Sequence, residues 1–134
     1  MIEISDLIGC KFTPHGRNKK EGFDCYGLAI EVLSRVNKYL PDVFYDSVSP
    51  GTNKKTASYI ENEQNFFNLE LITELENYCI ILMSRHTRPH IAVYLGNNKV
   101  IHCTETNGVI VQNYDRIKAR VNALYRVGGK MVNG

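Results

Sequence analysis

The 134 residues contain no internal repeat, no low-complexity segment and no long apolar run. The longest apolar stretch, Tyr78 to Met83, is far too short to cross a bilayer, so a membrane role is not expected. An excess of one charge is missing as well, because 16 Lys+Arg face 14 Asp+Glu and leave a net charge of +2. A dedicated nucleic-acid binder would need a basic face, and that partner class is not expected either. The opening MIEISDLIG carries Glu3 and Asp6 where a secretory signal would carry basic residues, which predicts a cytoplasmic product at synthesis. Cysteine is sparse and unpatterned. Cys10, Cys25, Cys79 and Cys103 form no Cys-x-x-Cys, the usual signature of structural zinc, and their spacing shows no dense disulfide framework.

What is present suits a folded domain. At 43% apolar and 22% charged residues the composition is that of a globular protein and not of a disordered one. The length predicts a single domain, 1–134, burying about two thirds of its unfolded surface. Met1 to Gly9 reads as a short helix with Ile4, Leu7 and Ile8 on one face. Cys10 to Phe23 is a polar loop with Pro14, Gly16, Gly22 and the basic run Arg17, Lys19 and Lys20. Cys25, Leu28, Ala29, Val32, Leu33 and Val36 then recur at i, i+3, i+4, i+7, i+8 and i+11, an amphipathic helix. Asp24 stands where a carboxylate caps free N–H groups, and Leu40-Pro41 is expected to end the element. Asp42 to Thr52 is expected as a loop and Thr56 to Asn65 as a second helix. Strands are predicted at Phe66–Ile72, Tyr78–Ser84, His90–Leu95, Lys99–Thr104, Val109–Gln112 and Val121–Val127, with turns at Gly96-Asn97-Asn98 and Asn107-Gly108. Helices followed by an antiparallel sheet define an α+β fold.

Three residues stand out chemically. Cys25 sits in the first turn of the strong helix, where N–H groups and the macrodipole favour an anion. The plain alternative is a small buried hydrophobe that opens a helix, and packing is the expected role of Cys10, Cys79 and Cys103. Alternation along His90–Leu95 puts His90, Ala92 and Tyr94 on one face. Along Lys99–Thr104 it groups Val100, His102 and Thr104. A three-residue turn pairs Leu95 with Lys99 and makes His90 the diagonal neighbour of His102. A two-residue turn would send the imidazoles to opposite faces. We expect the three-residue turn, which suits thiol catalysis with His90 as base and His102 orienting it. Zinc held by some of Cys25, His86, His90, His102 and Cys103 is the rival. However, His86 and His90 flank Pro89 and cannot form a helical metal-binding pair, so no metal is expected. Arg85 and Arg88 lie near His86 in a loop, either solvated or pairing with a substrate carboxylate. His15 has no partner visible in the sequence.

In register, the segments Gly9-Cys10-Lys11-Phe12, His15-Gly16-Arg17, Gly22-Phe23-Asp24-Cys25-Tyr26-Gly27-Leu28, Leu40-Pro41, His90 to Asn97, Val100-Ile101-His102-Cys103 and Tyr125-Arg126-Val127 resemble the NlpC/P60 family of papain-like cysteine peptidases. The resemblance implies a fold of N-terminal helices packed on an antiparallel sheet. It further implies Cys25 as nucleophile, His90 as base, His102 as the third polar residue, and no cofactor. The family mostly cleaves peptide bonds next to D-glutamyl residues in bacterial cell-wall stem peptides, which makes peptidoglycan the expected partner. Phe12, Arg17, Asp24, Tyr26 and Arg88 are the expected substrate-contacting set.

Some positions depart from the family pattern. Tyr26 replaces the usual serine, Phe12 a frequent tyrosine, and Asn77-Tyr78 the usual Gly-Asp. With the Gly-Arg ahead of the nucleophile, the aromatic after Asp-Cys and the compact length look most like the phage tail-assembly branch. That branch implies a virion-tail location and other tail proteins as partners. The alternatives from other classes are a papain-like amidase or acyltransferase with another acyl substrate, and an inactive structural tail component.

Overall fold

The computed structural model describes residues 2–42, 68–85 and 88–129. A short ribbon, β1 (Arg17–Asn18) and β2 (Gly22–Phe23), leads directly into the helix α1 (Cys25–Ser34). The strands β3 (Leu69–Ile72), β4 (Ile80–Arg85), β5 (Arg88–Gly96), β6 (Lys99–Thr104), β7 (Gly108–Asn113) and β8 (Val121–Val127) follow. They form one antiparallel sheet in the order β3-β8-β4-β5-β6-β7. The α+β expectation holds. Among the described residues no helix is long and apolar enough to cross a membrane.

The apolar stripe explains α1, because Leu28, Ala29, Val32 and Leu33 are all buried against the sheet. The helix stops well before Leu40-Pro41. Asn37 takes a left-handed φ of 61°, and the Lys38 N–H returns to the Leu33 carbonyl at 2.9 Å, the closure of a Schellman motif. Val36 therefore lies in the turn and not on the helix. Among the described residues 2–9 the expected helix is absent as well. The chain makes turns in which Leu7 N–H meets Ile4 O at 2.9 Å and Cys10 N–H meets Leu7 O at 3.1 Å. Ile4 and Leu7 are buried while Ile8 is 50% exposed, so only the three-residue spacing reaches the core. Gly9 then hydrogen-bonds Val109 O, drawing the segment onto β7 instead of continuing a helix. The loop expected at Asp42–Thr52 and the helix expected at Thr56–Asn65 lie outside the described residues, apart from Asp42.

The β5–β6 hairpin positions the site. Asn97 and Asn98 both have positive φ, 51° and 62°, and form a two-residue turn that pairs Gly96 with Lys99. A bulge follows at once, since Tyr94 pairs with Val100 and Val93 with Ile101. The three-residue turn is thus replaced by a two-residue turn plus one bulged residue, and the register beyond is the expected one. Ile91, Val93, Leu95, Ile101 and Cys103 join the core beneath α1, whereas Ala92 and Val100 belong to a second cluster with Cys79, Ile81, Met83 and Ile117. β4 begins at Ile80 because Tyr78, with φ 66°, is still in a turn.

Candidate active site

The junction of β2 and α1 is clamped from several sides. Asp24 is 3% exposed, and its extended backbone (φ −92°, ψ 179°) makes it the N-cap of α1. Its carboxylate accepts from the Gly27 N–H at 2.6 Å, from the His15 N–H at 3.2 Å and from Arg17 Nη1 at 2.9 Å. Arg17 also donates through Nε to Asp42 at 2.8 Å and lies over the Tyr26 ring, 5.7 Å from its centroid. The Tyr26 hydroxyl donates to the Pro41 carbonyl at 2.5 Å. Leu40-Pro41, which does not terminate the helix, therefore anchors the residue after the cysteine. Only glycine fits at 27, because a Cβ there would lie 2.1 Å from the Gly16 carbonyl oxygen and 2.8 Å from Arg17 Nη1.

Cys25 begins α1 and is half-buried. Burial first, and the neighbouring Asp24 carboxylate second, push its thiol up to about 11. The backbone N–H groups of Ile91, Tyr26 and Cys25 itself act in the opposite direction. The helix start therefore does not by itself yield an easily formed thiolate, because desolvation and a like charge outweigh its N–H groups. Ile91, whose N–H acts on the thiol, follows His90 on β5.

His90 and His102 meet. His90 Nε2 lies 2.7 Å from His102 Nδ1, with ring centroids 5.0 Å apart and ring planes tilted by 60°. His90 is half-buried and His102 is 4% exposed. Both lie past the last backbone pair of the β5–β6 ladder, toward the start of β5. The other nitrogen of His102, Nε2, lies 2.7 Å from Gln112 Oε1 on β7. Gln112 pairs with Val100 and His102 with Ile110, so Gln112 is the diagonal neighbour of His102 across β6–β7. Gln112 is the site residue that reading the sequence missed. Its signal was a polar residue alternating with Val109 and Val111 at the end of an apolar strand.

Other expected contributors are placed as follows. Phe12 is half-buried and bridges to Phe23 beside the clamp. Arg88 opens β5, opposite Arg85, and its side chain lies outside the described part, as does His86. His15, exposed and with φ 60°, serves the clamp through its backbone N–H. Cys79 and Cys103 are each 1% exposed, and Cys10 is half-buried with its sulfur 3.8 Å from the Asp6 carbonyl. Among the described residues no three His, Cys, Asp or Glu side chains gather as a metal site. A thiol at a helix start and a hydrogen-bonded imidazole pair are the components of nucleophilic acyl transfer.

The profile of the NlpC/P60 family matches residues 9–126. The chain is 31% identical over 115 residues to the gamma-DL-glutamyl hydrolase of Bacillus subtilis (strain 168), an alignment covering 85% of this chain and 25% of that protein. The chain thus spans about a quarter of that relative's length. Among solved structures, NlpC2 from Trichomonas vaginalis superposes with a TM-score of 0.61 at 17% identity, over 90% of this chain and 44% of that one. The NlpC/p60 domain of the peptidoglycan hydrolase SagA does so with a TM-score of 0.55 at 16% identity, over 93% of this chain and 90% of that one. At these identities the superpositions show the shared fold.

Proposed function

The chain belongs to the NlpC/P60 family, and from that premise we propose that it is a cysteine endopeptidase cutting peptide bonds in peptidoglycan stem peptides. The observation that carries the reading is the imidazole pair, His90 Nε2 to His102 Nδ1 at 2.7 Å, with His90 next in sequence to Ile91, whose N–H acts on the Cys25 thiol. In this mechanism Cys25 gives its proton to His90 as the sulfur attacks the peptide carbonyl. The Cys25 N–H at the helix start steadies the oxyanion, and His90 returns the proton to the leaving amine. Water, deprotonated by His90, then hydrolyses the thioester. His102 holds the His90 ring and supports its positive charge.

The relative named a gamma-DL-glutamyl hydrolase supports a glutamyl bond as the target. The peptidoglycan hydrolase SagA supports the wall as the polymer. Asp24, Arg17 and Tyr26 would act in this scheme by holding the nucleophile loop, given the bonds they make with one another and with the backbone. Phe12 and Arg88 would line the substrate path. The aromatic after Asp24-Cys25 and the Gly16-Arg17 pair further support a place among phage tail proteins, which detection of the chain in purified phage particles would test.

Incubation with peptidoglycan from several bacteria, and in parallel with poly-γ-glutamate, should release new amino groups with the wild type and none with Cys25→Ala. Absence of release from every polymer would overturn the peptidase reading. Release that persists in Cys25→Ala would overturn the choice of nucleophile.

A further inference from the structure

We propose that Gln112 fixes the tautomers of both histidines and so leaves His90 able to accept the Cys25 proton. The inference rests on the reading of Cys25 as nucleophile and His90 as its base. An amide oxygen can only accept a hydrogen bond. With Gln112 Oε1 at 2.7 Å, His102 must carry its hydrogen on Nε2. A neutral imidazole has one N–H, so His102 Nδ1 is a bare acceptor. His90 Nε2, at 2.7 Å from that nitrogen, must then be the donor. The hydrogen of neutral His90 is thereby committed to Nε2, and its Nδ1 keeps a lone pair.

The direction of this chain decides whether His90 can serve as a base. With a donor in place of the Gln112 oxygen, His102 would carry its hydrogen on Nδ1 and donate to His90 Nε2. Neutral His90 would then be protonated on Nδ1 and unable to take a proton there. Histidines alone do not choose between the two arrangements, since each ring can run either way; the amide, placed with its oxygen and not its NH2 toward His102, does. It does so as a neutral group, through a hydrogen bond to His102 alone. Gln112 touches neither Cys25 nor the reacting bond in this scheme. It is a positioning residue, reaching the site from β7, the edge strand of the sheet.

The tautomers can be read by 15N NMR of the imidazoles on the intact wild-type chain, with no substrate present. His102 should show a protonated Nε2 and a bare Nδ1. Iodoacetamide labelling of Cys25 at pH 7 supplies the second readout. Gln112→Leu should lose the single His102 tautomer and slow labelling about tenfold, the loss expected for one hydrogen bond worth roughly a factor of ten. Gln112→Glu keeps an acceptor at the same reach and should restore both, which a purely structural role for the side chain would not predict. A wild-type His102 protonated on Nδ1 would overturn the proposal, as would Gln112→Leu labelling at the wild-type rate or Gln112→Glu failing to restore it. If the relay behaves as expected while no polymer is cut, it is the peptidase reading that fails.

Discussion

At Cys25, burial and the Asp24 carboxylate hold the proton on sulfur up to about pH 11, well above the ordinary thiol value of 9.0. A thiol alone with that value would be ionised at pH 7 in only about one molecule in ten thousand. Reactivity at neutral pH must then come from transfer of the proton to His90, so that anion and cation form together and titrate as a pair. His90→Ala should abolish labelling of Cys25 near neutral pH and leave one titration near pH 11, whereas the wild type should already react well at pH 7. A wild-type profile that itself rises only near pH 11 would mean that the imidazole pair does not reach the sulfur. Cys25, its Asp24 cap and the two same-face histidines were all legible in the sequence, because helical and strand periodicity assign faces directly. Gln112 was not, since its role depends on a third strand reached through a second hairpin. Nor was the Arg17 stack on Tyr26, where a residue in a basic run turns inward to meet a buried carboxylate.

Among the elements, the β2–α1 junction tolerates the least change. A Cβ at Gly27 would sit 2.1 Å from a backbone carbonyl oxygen, and backbone cannot step aside as a flexible side chain could. Gly27→Ala should cost about 1–3 kcal/mol in urea unfolding, the usual range for overpacking. It should also slow Cys25 labelling, because relief of the clash shifts the helix start. A variant as stable and as reactive as wild type would show that the clamp does not set the position of the sulfur. The β5–β6 hairpin teaches a different lesson about legibility. The histidine register follows from the sequence although the turn does not, since a two-residue Asn97-Asn98 turn and a bulge together shift the strands as a three-residue loop would. Gly96, with φ +98°, makes that bulge possible. Gly96→Ala should therefore destabilise the fold by about 1–2 kcal/mol, measured in the same unfolding assay, and wild-type stability would contradict the assignment of the bulge. The N-terminal segment defeated periodicity because Ile4 and Leu7 satisfy a pair of turns as well as they satisfy a helix.

The molecule as a whole is a sheet with a buried layer on each face, and each layer contains a fully buried thiol. Cys103 packs beneath α1 and its sulfur donates to the Phe23 carbonyl at 3.2 Å, while Cys79 lies in the opposite layer with Ile81 and Met83. Burial pushes Cys103 up to about 12 and moves Cys79 upward as well. In the unfolded chain both would lose their protons near pH 9. Above that pH the native state therefore holds protons that the unfolded state has released. Stability must fall as pH rises, by at most about 1.4 kcal/mol per pH unit for each such thiol, until the folded group itself ionises. For Cys103 the window runs from about pH 9 to about pH 12. Below pH 9 both states keep the proton and the contribution is constant. Urea unfolding of wild type and Cys103→Ala at intervals from pH 8 to pH 10.5 would isolate the effect. The substitution should cost a fixed amount of packing below pH 9, and the gap between the two proteins should narrow steadily above it. Parallel stability curves across the whole range would mean that Cys103 ionises as readily in the folded protein as in the unfolded chain, and that the layer beneath the helix is open to water.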